Sequence, residues 1–266
     1  MNKSIPACSA EELLQALAQS DRLWIFLDYD GTLAEFAPTP DHILPDQELH
    51  DLLSRLVARP ATRVAIISGR RLGHIQALLP VPGVLLAGTY GVEMQLPDGS
   101  RVDRVSWQSI RPTLEALLPV WAQLIDQRPG YYLEDKGWAI ALHGRRAEDG
   151  QSEAVLAEGR RLAEAHLAQA PNGQLHLSDG YKFLELSPVQ AKKGLALRYL
   201  LQEQPWPGAS LLYLGDDEKD EDAFEVIQEH GGMAVVVSDQ PRPTYADCLL
   251  PSPQAVRHFL HRLSEH

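Results

Sequence analysis

"LWIFLDYDGTLAEF", residues 23–36, decides how the rest of the chain is read. Five apolar residues run unbroken into Asp28, a second carboxylate, Asp30, stands two places on, and Gly31 and Thr32 follow. A continuous apolar run suits a strand buried on both faces of a parallel sheet. Residues two apart share one face of an extended chain, so Asp28 and Asp30 lean into the same space. Carboxylates that close repel, and one is expected to keep its proton unless a cation sits among them. Oxygen-only ligands of this kind suit Mg²⁺. Gly31 permits a tight turn and close approach to the backbone, and Thr32 is expected to bond back and fix that turn.

Working outward, similar runs recur at 63–67, 84–88, 211–215 and 233–237. Helical periodicity fills 10–20, 46–58, 71–79, 191–203, 219–230 and about 253–264. This alternation predicts an open α/β fold. The middle reads differently. Helices over 106–127 and 151–169 are each followed by a strand pair, 131–135 with 137–143 and 174–178 with 181–186. Turn signals at "EDKG" and "SDGY" make these pairs antiparallel hairpins. The expected division is therefore a core of 1–102 and 186–266, with a smaller α/β insert over 103–185.

Three buried runs end in polar groups: Asp28 to Thr32, then Ser68-Gly69-Arg70, then Gly215-Asp216-Asp217. In open α/β sheets ligands bind beyond the carboxyl ends of the strands, so the three clusters are expected in one crevice. Each has a plainer explanation. "DYDGT" can be a capped turn, and Ser68 can be the N-cap of the helix beginning in "GRRLGHIQALL". The acids of "DDEKDED" favour a helix N-terminus. That explanation suffices for Glu218, Glu221 and Asp222, but accounts poorly for Asp216 and Asp217, which follow a buried strand and a glycine.

The composition sets limits. Of 266 residues 44% are hydrophobic, enough for a sizeable core, and the net charge of −12 argues against a nucleic-acid partner. The only cysteines, Cys8 and Cys248, form no CxxC pair, which argues against a disulfide framework or a zinc site. "MNKSIPACSAEELL" has no long apolar stretch, which argues against a signal peptide, and no window suits a membrane span. The expectation is a cytoplasmic enzyme, and a monomer, since no exposed apolar helix face stands out.

"DYDGT", Ser68 after "VAII", the lysine of "AKKG" and "GDDEKDEDAF" together resemble, in chain order, the four motifs of the haloacid dehalogenase superfamily. The resemblance implies a Rossmann-like α/β core with a parallel sheet and a smaller α/β cap inserted between the second and third motifs. It implies that Asp28 is a nucleophile that takes up a phosphoryl group as an aspartyl phosphate. Asp30 is then the general acid and later the base. Mg²⁺ is held by Asp28, the backbone carbonyl of Asp30, and Asp216. Ser68 and Lys193 bind the transferring phosphoryl, and Asp217 and Asp220 support the metal shell and the lysine.

Within that superfamily, "DYDGTLAEFAPTPD", "ISGR", "AGTYGVE", "LEDKGWAIALHGR", "FLELSP", "KKG" and "LGDDEKDEDAF" resemble the trehalose-phosphate phosphatase family. That resemblance implies trehalose 6-phosphate as substrate, with Gly69 and Arg70 on the substrate side of the core and Glu134, Lys136 and Glu185 binding sugar hydroxyls. A synthase making that sugar phosphate is the metabolic neighbour it implies. Read without it, Glu134 and Lys136 form a solvated hairpin face and Glu185 is a cross-strand partner of a lysine; His143 and Arg145 are weaker candidates. Tyr90, Gly144 and Lys219 depart from the family pattern, which shows His, an aromatic and Thr there. Phosphatases for sucrose phosphate or mannosylglycerate phosphate, a phosphomutase and a regulatory sugar-phosphate sensor are the competing readings.

Overall fold

A computed structural model describes residues 6–18, 20–35, 44–148, 150–168 and 173–265. The end of the "DYDGTLAEFAPTPD" stretch, the extreme N-terminus and position 169 of the expected helix 151–169 lie outside these residues. The strands are β1 (Leu23–Leu27), β2 (Thr62–Ile67), β3 (Leu85–Gly88), β4 (Glu93–Gln95), β5 (Arg101–Asp103), β6 (Tyr132–Asp135), β7 (Ile140–His143), β8 (Leu175–Gly180), β9 (Phe183–Pro188), β10 (Ser210–Gly215), β11 (Met233–Val237) and β12 (Cys248–Leu250). The helices are α1 (Ala10–Leu17), α2 (Gln47–Val57), α3 (Leu72–Leu78), α4 (Trp107–Leu124), α5 (Ser152–Leu167), α6 (Lys193–Glu203), α7 (Glu221–Glu229) and α8 (Pro253–Glu265).

The chain divides into two units, Met1–Val102 with Lys192–His266, and Asp103–Ala191. In the first, one sheet runs β12-β11-β10-β1-β2-β3-β4-β5. It is parallel from β12 to β3, and β4 turns back antiparallel on β3. Alternate residues of the apolar runs serve opposite layers. Leu23, Ile25 and Leu27 of β1 pack with residues of α1, α2, α3 and α8, while Trp24 and Phe26 pack with residues of α6 and α7. This is why the runs do not alternate in hydrophobicity: both faces are dry. Truncating the fully buried Phe26 to Ala would cost about 3–5 kcal/mol.

Chain order creates the site. After β1 the chain moves outward through β2 and β3, and it later returns to β10, on the other side of β1. The reversal at β1 is the topological switch point of an open α/β sheet, where a crevice opens beyond the strand ends.

Four differences from the sequence reading have physical causes. Strands β4, β5 and β12 were not anticipated, because three residues are too short to show a period. Cys8 and Cys248 form a disulfide, correcting the expectation against one. Ala7 bridges Leu249 in parallel register, and that long-range pairing sets the sulfurs side by side across 240 positions of sequence. The second boundary falls at Ala191, not 185, since β9 runs to Pro188 and pairs with β8 throughout. Finally, β8 extends to Gly180, so the second hairpin turns at Tyr181 and Lys182, the latter at φ 52°. No helix among the described residues is long and apolar enough to cross a membrane.

The second unit is an antiparallel sheet, β6-β7-β9-β8, with α4 and α5 packed on it. Gly159 lets α5 approach closely: a Cβ there would lie 2.9 Å from Leu142 Cδ2. The Trp121 indole donates to the Gly159 carbonyl at 2.9 Å, satisfying its buried N–H.

Candidate active site

Asp28, Ser68 and Asp216 each follow the carboxyl end of a strand, β1, β2 and β10 respectively. Lys193, the first residue of α6, is 2% exposed and reaches Asp28 at 3.0 Å and Asp220 at 2.7 Å. Burial alone pulls this lysine down, but the Asp220 and Asp28 charges outweigh it and hold the ammonium well above its ordinary value.

Asp220 is fully buried, and both its oxygens are in use. Oδ1 accepts from Lys193 Nζ and from the Tyr213 hydroxyl, each at 2.7 Å; Oδ2 accepts from the backbone N–H of Asp216 at 3.1 Å and of Asp217 at 3.2 Å. Gly215 makes room, since a Cβ there would stand 2.2 Å from the Asp220 carboxyl carbon. Asp217 caps the 3₁₀ turn Glu218–Asp220 and lies 3.9 Å from Lys193. Asp217 therefore shapes the turn, and Asp220 anchors both turn and lysine.

Asp28, Asp216 and Asp220 bring one oxygen each within 4.8 Å of one another. Burial pushes Asp28 up to about 8, against the pull of Lys193 and with the push of Asp216. Asp216 is pushed up to about 7 by burial and then by the charges of Asp220 and Asp217, and it hydrogen-bonds Asp28. Burial also raises Asp220, against Lys193. Two buried carboxylates, Asp28 and Asp220, and the half-buried Asp216 carry net negative charge against one lysine when all are ionised, and a hard divalent cation would relieve it. With the Asp220 oxygens taken, Asp28 and Asp216 are the groups with lone pairs to offer. Gly31 (φ 79°) lets Asp216 approach, for a Cβ there would be 2.2 Å from an Asp216 oxygen. Thr32 bonds Asp216 at 3.4 Å rather than its own turn.

Asp30 turns its side chain elsewhere. Its two oxygens take a bidentate fork from Arg70, Nε and Nη2 each at 2.7 Å. Arg70, expected on the substrate side, is thus engaged with Asp30. Ser68 is fully buried, and its Oγ accepts from the Arg70 N–H at 3.1 Å. It is not the cap of α3, which has Arg71 at that position. The first N–H of that helix goes instead to Glu93 Oε1, at 2.8 Å. Gly69 lies under the Tyr90 ring: a Cβ would be 2.7 Å from its phenol carbons.

In the second unit, register sets the candidate groups in rows on one sheet face. Glu134 pairs with Ala141, Ala141 with Glu185, and Glu185 with Ser178. One step along the same face, Tyr132, His143 and Phe183 align. Small Ala141 between the two acids leaves space, and Lys136 Nζ reaches Glu185 at 2.5 Å. Burial lowers that lysine, but Glu185 and then Glu134 more than compensate, and it is raised overall. His143 stacks on Tyr132 (4.3 Å, 7°) and bonds Glu134 at 2.9 Å. Arg145 is exposed and donates to the Tyr181 carbonyl. Gly144 faces Tyr131, just before β6, whose ring lies 3.1 Å from where a Cβ would be, so that ring occupies the space a larger side chain would need.

Sequence reasoning missed Tyr213 and Arg242. Arg242 donates to the carbonyls of Asp216 and Asp217, each at 3.1 Å, fixing the acidic turn from outside. Tyr213 had a signal: a tyrosine inside a doubly buried strand must find a partner for its hydroxyl.

An acidic, lysine-anchored cluster at the switch point of a parallel sheet is the arrangement expected of the haloacid dehalogenase fold. The trehalose-phosphatase family model matches residues 26–254. Among curated proteins, trehalose-phosphate phosphatase B of Arabidopsis thaliana is 31% identical over 96% of this chain and 69% of its own length. Trehalose-phosphate phosphatase of Mycobacterium tuberculosis is 33% identical over 95% of this chain and 65% of its own. Among solved structures, the C-terminal domain of the Candida albicans trehalose-6-phosphate phosphatase superposes with a TM-score of 0.82 at 24% identity, covering 100% of this chain and 99% of that one, which establishes the fold. This chain belongs to the trehalose-phosphatase family, whose members are phosphoric monoester hydrolases.

Proposed function

We propose that the protein is a Mg²⁺-dependent phosphatase that hydrolyses trehalose 6-phosphate to trehalose and phosphate. The observation carrying this is Asp28, buried at the switch point between a lysine and a second acid pair, in a chain of this family. Asp28, Asp216 and the Asp30 carbonyl would hold the cation, which supplies charge neutralisation at the phosphoryl oxygens.

The Asp28 carboxylate attacks phosphorus, the ester P–O bond breaks, and the departing sugar oxygen takes a proton from Asp30. A water oxygen then attacks the same phosphorus, the bond to Asp28 breaks, and Asp30 takes the water proton. For either transfer the Arg70 fork must release one Asp30 oxygen. Lys193 and Ser68 orient and neutralise the equatorial oxygens. We assign 103–185, in essence the second unit, as a cap that selects substrate, with Glu134, Lys136 and Glu185 binding sugar hydroxyls. A polar pocket of that kind rejects ligands that leave its buried partners unpaired.

The test is phosphate release from a panel containing trehalose 6-phosphate, sucrose phosphate, mannosylglycerate phosphate and a small aryl phosphate, with Mg²⁺ and with EDTA. Preference for trehalose 6-phosphate, lost in EDTA, is the expected result. Preference for another sugar would overturn the cap assignment alone. Isomerised product in place of free phosphate would make the protein a mutase.

A further inference from the structure

Tyr90 and Lys219, two positions the catalytic reading does not use, touch each other. Lys219 Nζ donates to the Tyr90 hydroxyl at 2.6 Å and sits 4.3 Å from the ring centroid. They are 129 positions apart in sequence and belong to the turn after β3 and the turn after β10. Those turns flank the ends of β1 and β2, because both strands lie between β10 and β3 in the sheet. Strands three apart are separated by about 14 Å, and the Lys219–Tyr90 contact closes that gap.

Each end of this bridge is tied to a group in the proposed chemistry. The Tyr90 N–H donates to the Ser68 carbonyl at 2.8 Å, the Thr89 N–H donates to the Arg70 carbonyl at 2.7 Å, and the Tyr90 ring covers Gly69. The Lys219 N–H donates to Asp217 Oδ1 at 2.8 Å, in the turn that holds Asp216 and Asp220. Thr89 and Tyr90 both adopt left-handed backbone, at φ 49° and 53°. Two consecutive non-glycine residues in that region persist only where the surroundings over-determine them. Here the two carbonyl contacts, the ring on Gly69 and the lysine do so.

We propose that Tyr90 and Lys219 are positioning residues: a strap over the ends of β1 and β2 that holds the Ser68 turn and the Asp216–Asp220 turn at fixed spacing around Asp28. Neither residue is a catalytic residue. The strap sets the width of the phosphoryl pocket, so its loss loosens the site for every phosphate monoester and spares recognition of the sugar. This rests on the phosphatase reading above.

The experiment uses Tyr90→Phe, which keeps the ring but removes the hydroxyl, Lys219→Met, the double variant and Lys219→Arg. Steady-state rates with saturating Mg²⁺ are measured on trehalose 6-phosphate and a small aryl phosphate. Orthophosphate affinity with Mg²⁺ is measured by calorimetry. Each single variant is expected to lose about tenfold in kcat on both substrates, roughly one hydrogen bond to a charged group, with KM for trehalose 6-phosphate changed less than about twofold. The double variant should be no worse than the worse single, and Lys219→Arg should recover most of the rate. Unchanged kcat, additive losses or a loss confined to KM would overturn the strap. If the wild type releases no phosphate from any substrate, the phosphatase reading fails instead. Orthophosphate binding then decides the strap: equal, non-additive weakening supports it, and unchanged or additive behaviour overturns it.

Discussion

The two units handle buried charge in opposite ways. At the end of β1, three carboxylates face one ammonium in a site where Asp28, Lys193 and Asp220 are 5%, 2% and 0% exposed. On the sheet face of the second unit Lys136 is paired with Glu185, and Glu134, hydrogen-bonded to His143, stays 30% exposed. The first arrangement is incomplete without added positive charge. In the second, the buried carboxylate of Glu185 already has its lysine. Under the proposed function the unbalanced site takes the cation and the phosphoryl group, and the lysine-paired face takes the uncharged, hydroxyl-rich sugar.

The largest break in that comparison should come from Asp28→Asn. Turnover should fall by at least about 10⁴-fold on every substrate, while the metal-free protein remains folded with an unchanged or higher melting midpoint, because burial already holds Asp28 towards its neutral form. Measurable turnover in burst and steady-state assays would remove Asp28 as nucleophile. Next, Lys136→Ala and Glu185→Ala should each lower kcat/KM on trehalose 6-phosphate by roughly 10²-fold and leave a small aryl phosphate nearly untouched. Equal losses on both substrates would make these residues structural.

The third prediction concerns pH. The folded-state values of Asp28 and Asp216, raised to about 8 and about 7, exceed the unfolded value of about 4. The folded protein therefore binds the extra protons, and the stability this contributes is complete below pH 4 and lost as pH rises towards 8. Added Mg²⁺ should raise the melting midpoint more at pH 8 than at pH 5 in a thermal-shift series, and an equal rise at both would deny cation binding by these acids. The smallest effect is expected for His143→Phe, which keeps the stack on Tyr132 but removes the bond to Glu134. KM for trehalose 6-phosphate should rise up to about tenfold, with kcat on the aryl phosphate unchanged; the opposite pattern would place His143 in folding rather than recognition.

Much of the core was legible because its signals are local. An apolar run ending in an acid, a glycine or a serine identifies both a buried strand and the group at its tip, as at Asp28, Ser68 and Asp216. The sheet face of the second unit was harder to read. Glu134, Lys136 and Glu185 look like any solvated hairpin, and only register puts Ala141 between the acids. Asp30 is instructive: spacing put it beside Asp28, but a bidentate Arg70 forty positions away takes its side chain aside. The Cys8–Cys248 disulfide was hidden for the same reason, since no local spacing announces a bond between the first and last parts of a chain.

What the sequence determined by itself was the alternation of dry strands and amphipathic helices, and with it an α/β core whose strand ends carry acids. Those features follow from side-chain period and backbone extension, which act over a few residues. What only the tertiary structure decided was pairing: Lys193 between Asp28 and Asp220, Arg70 on Asp30, Tyr90 under Lys219, Lys136 on Glu185. Each of these depends on which strand lies beside which. That order is fixed by burial summed over the whole sheet, so no short stretch of sequence contains it.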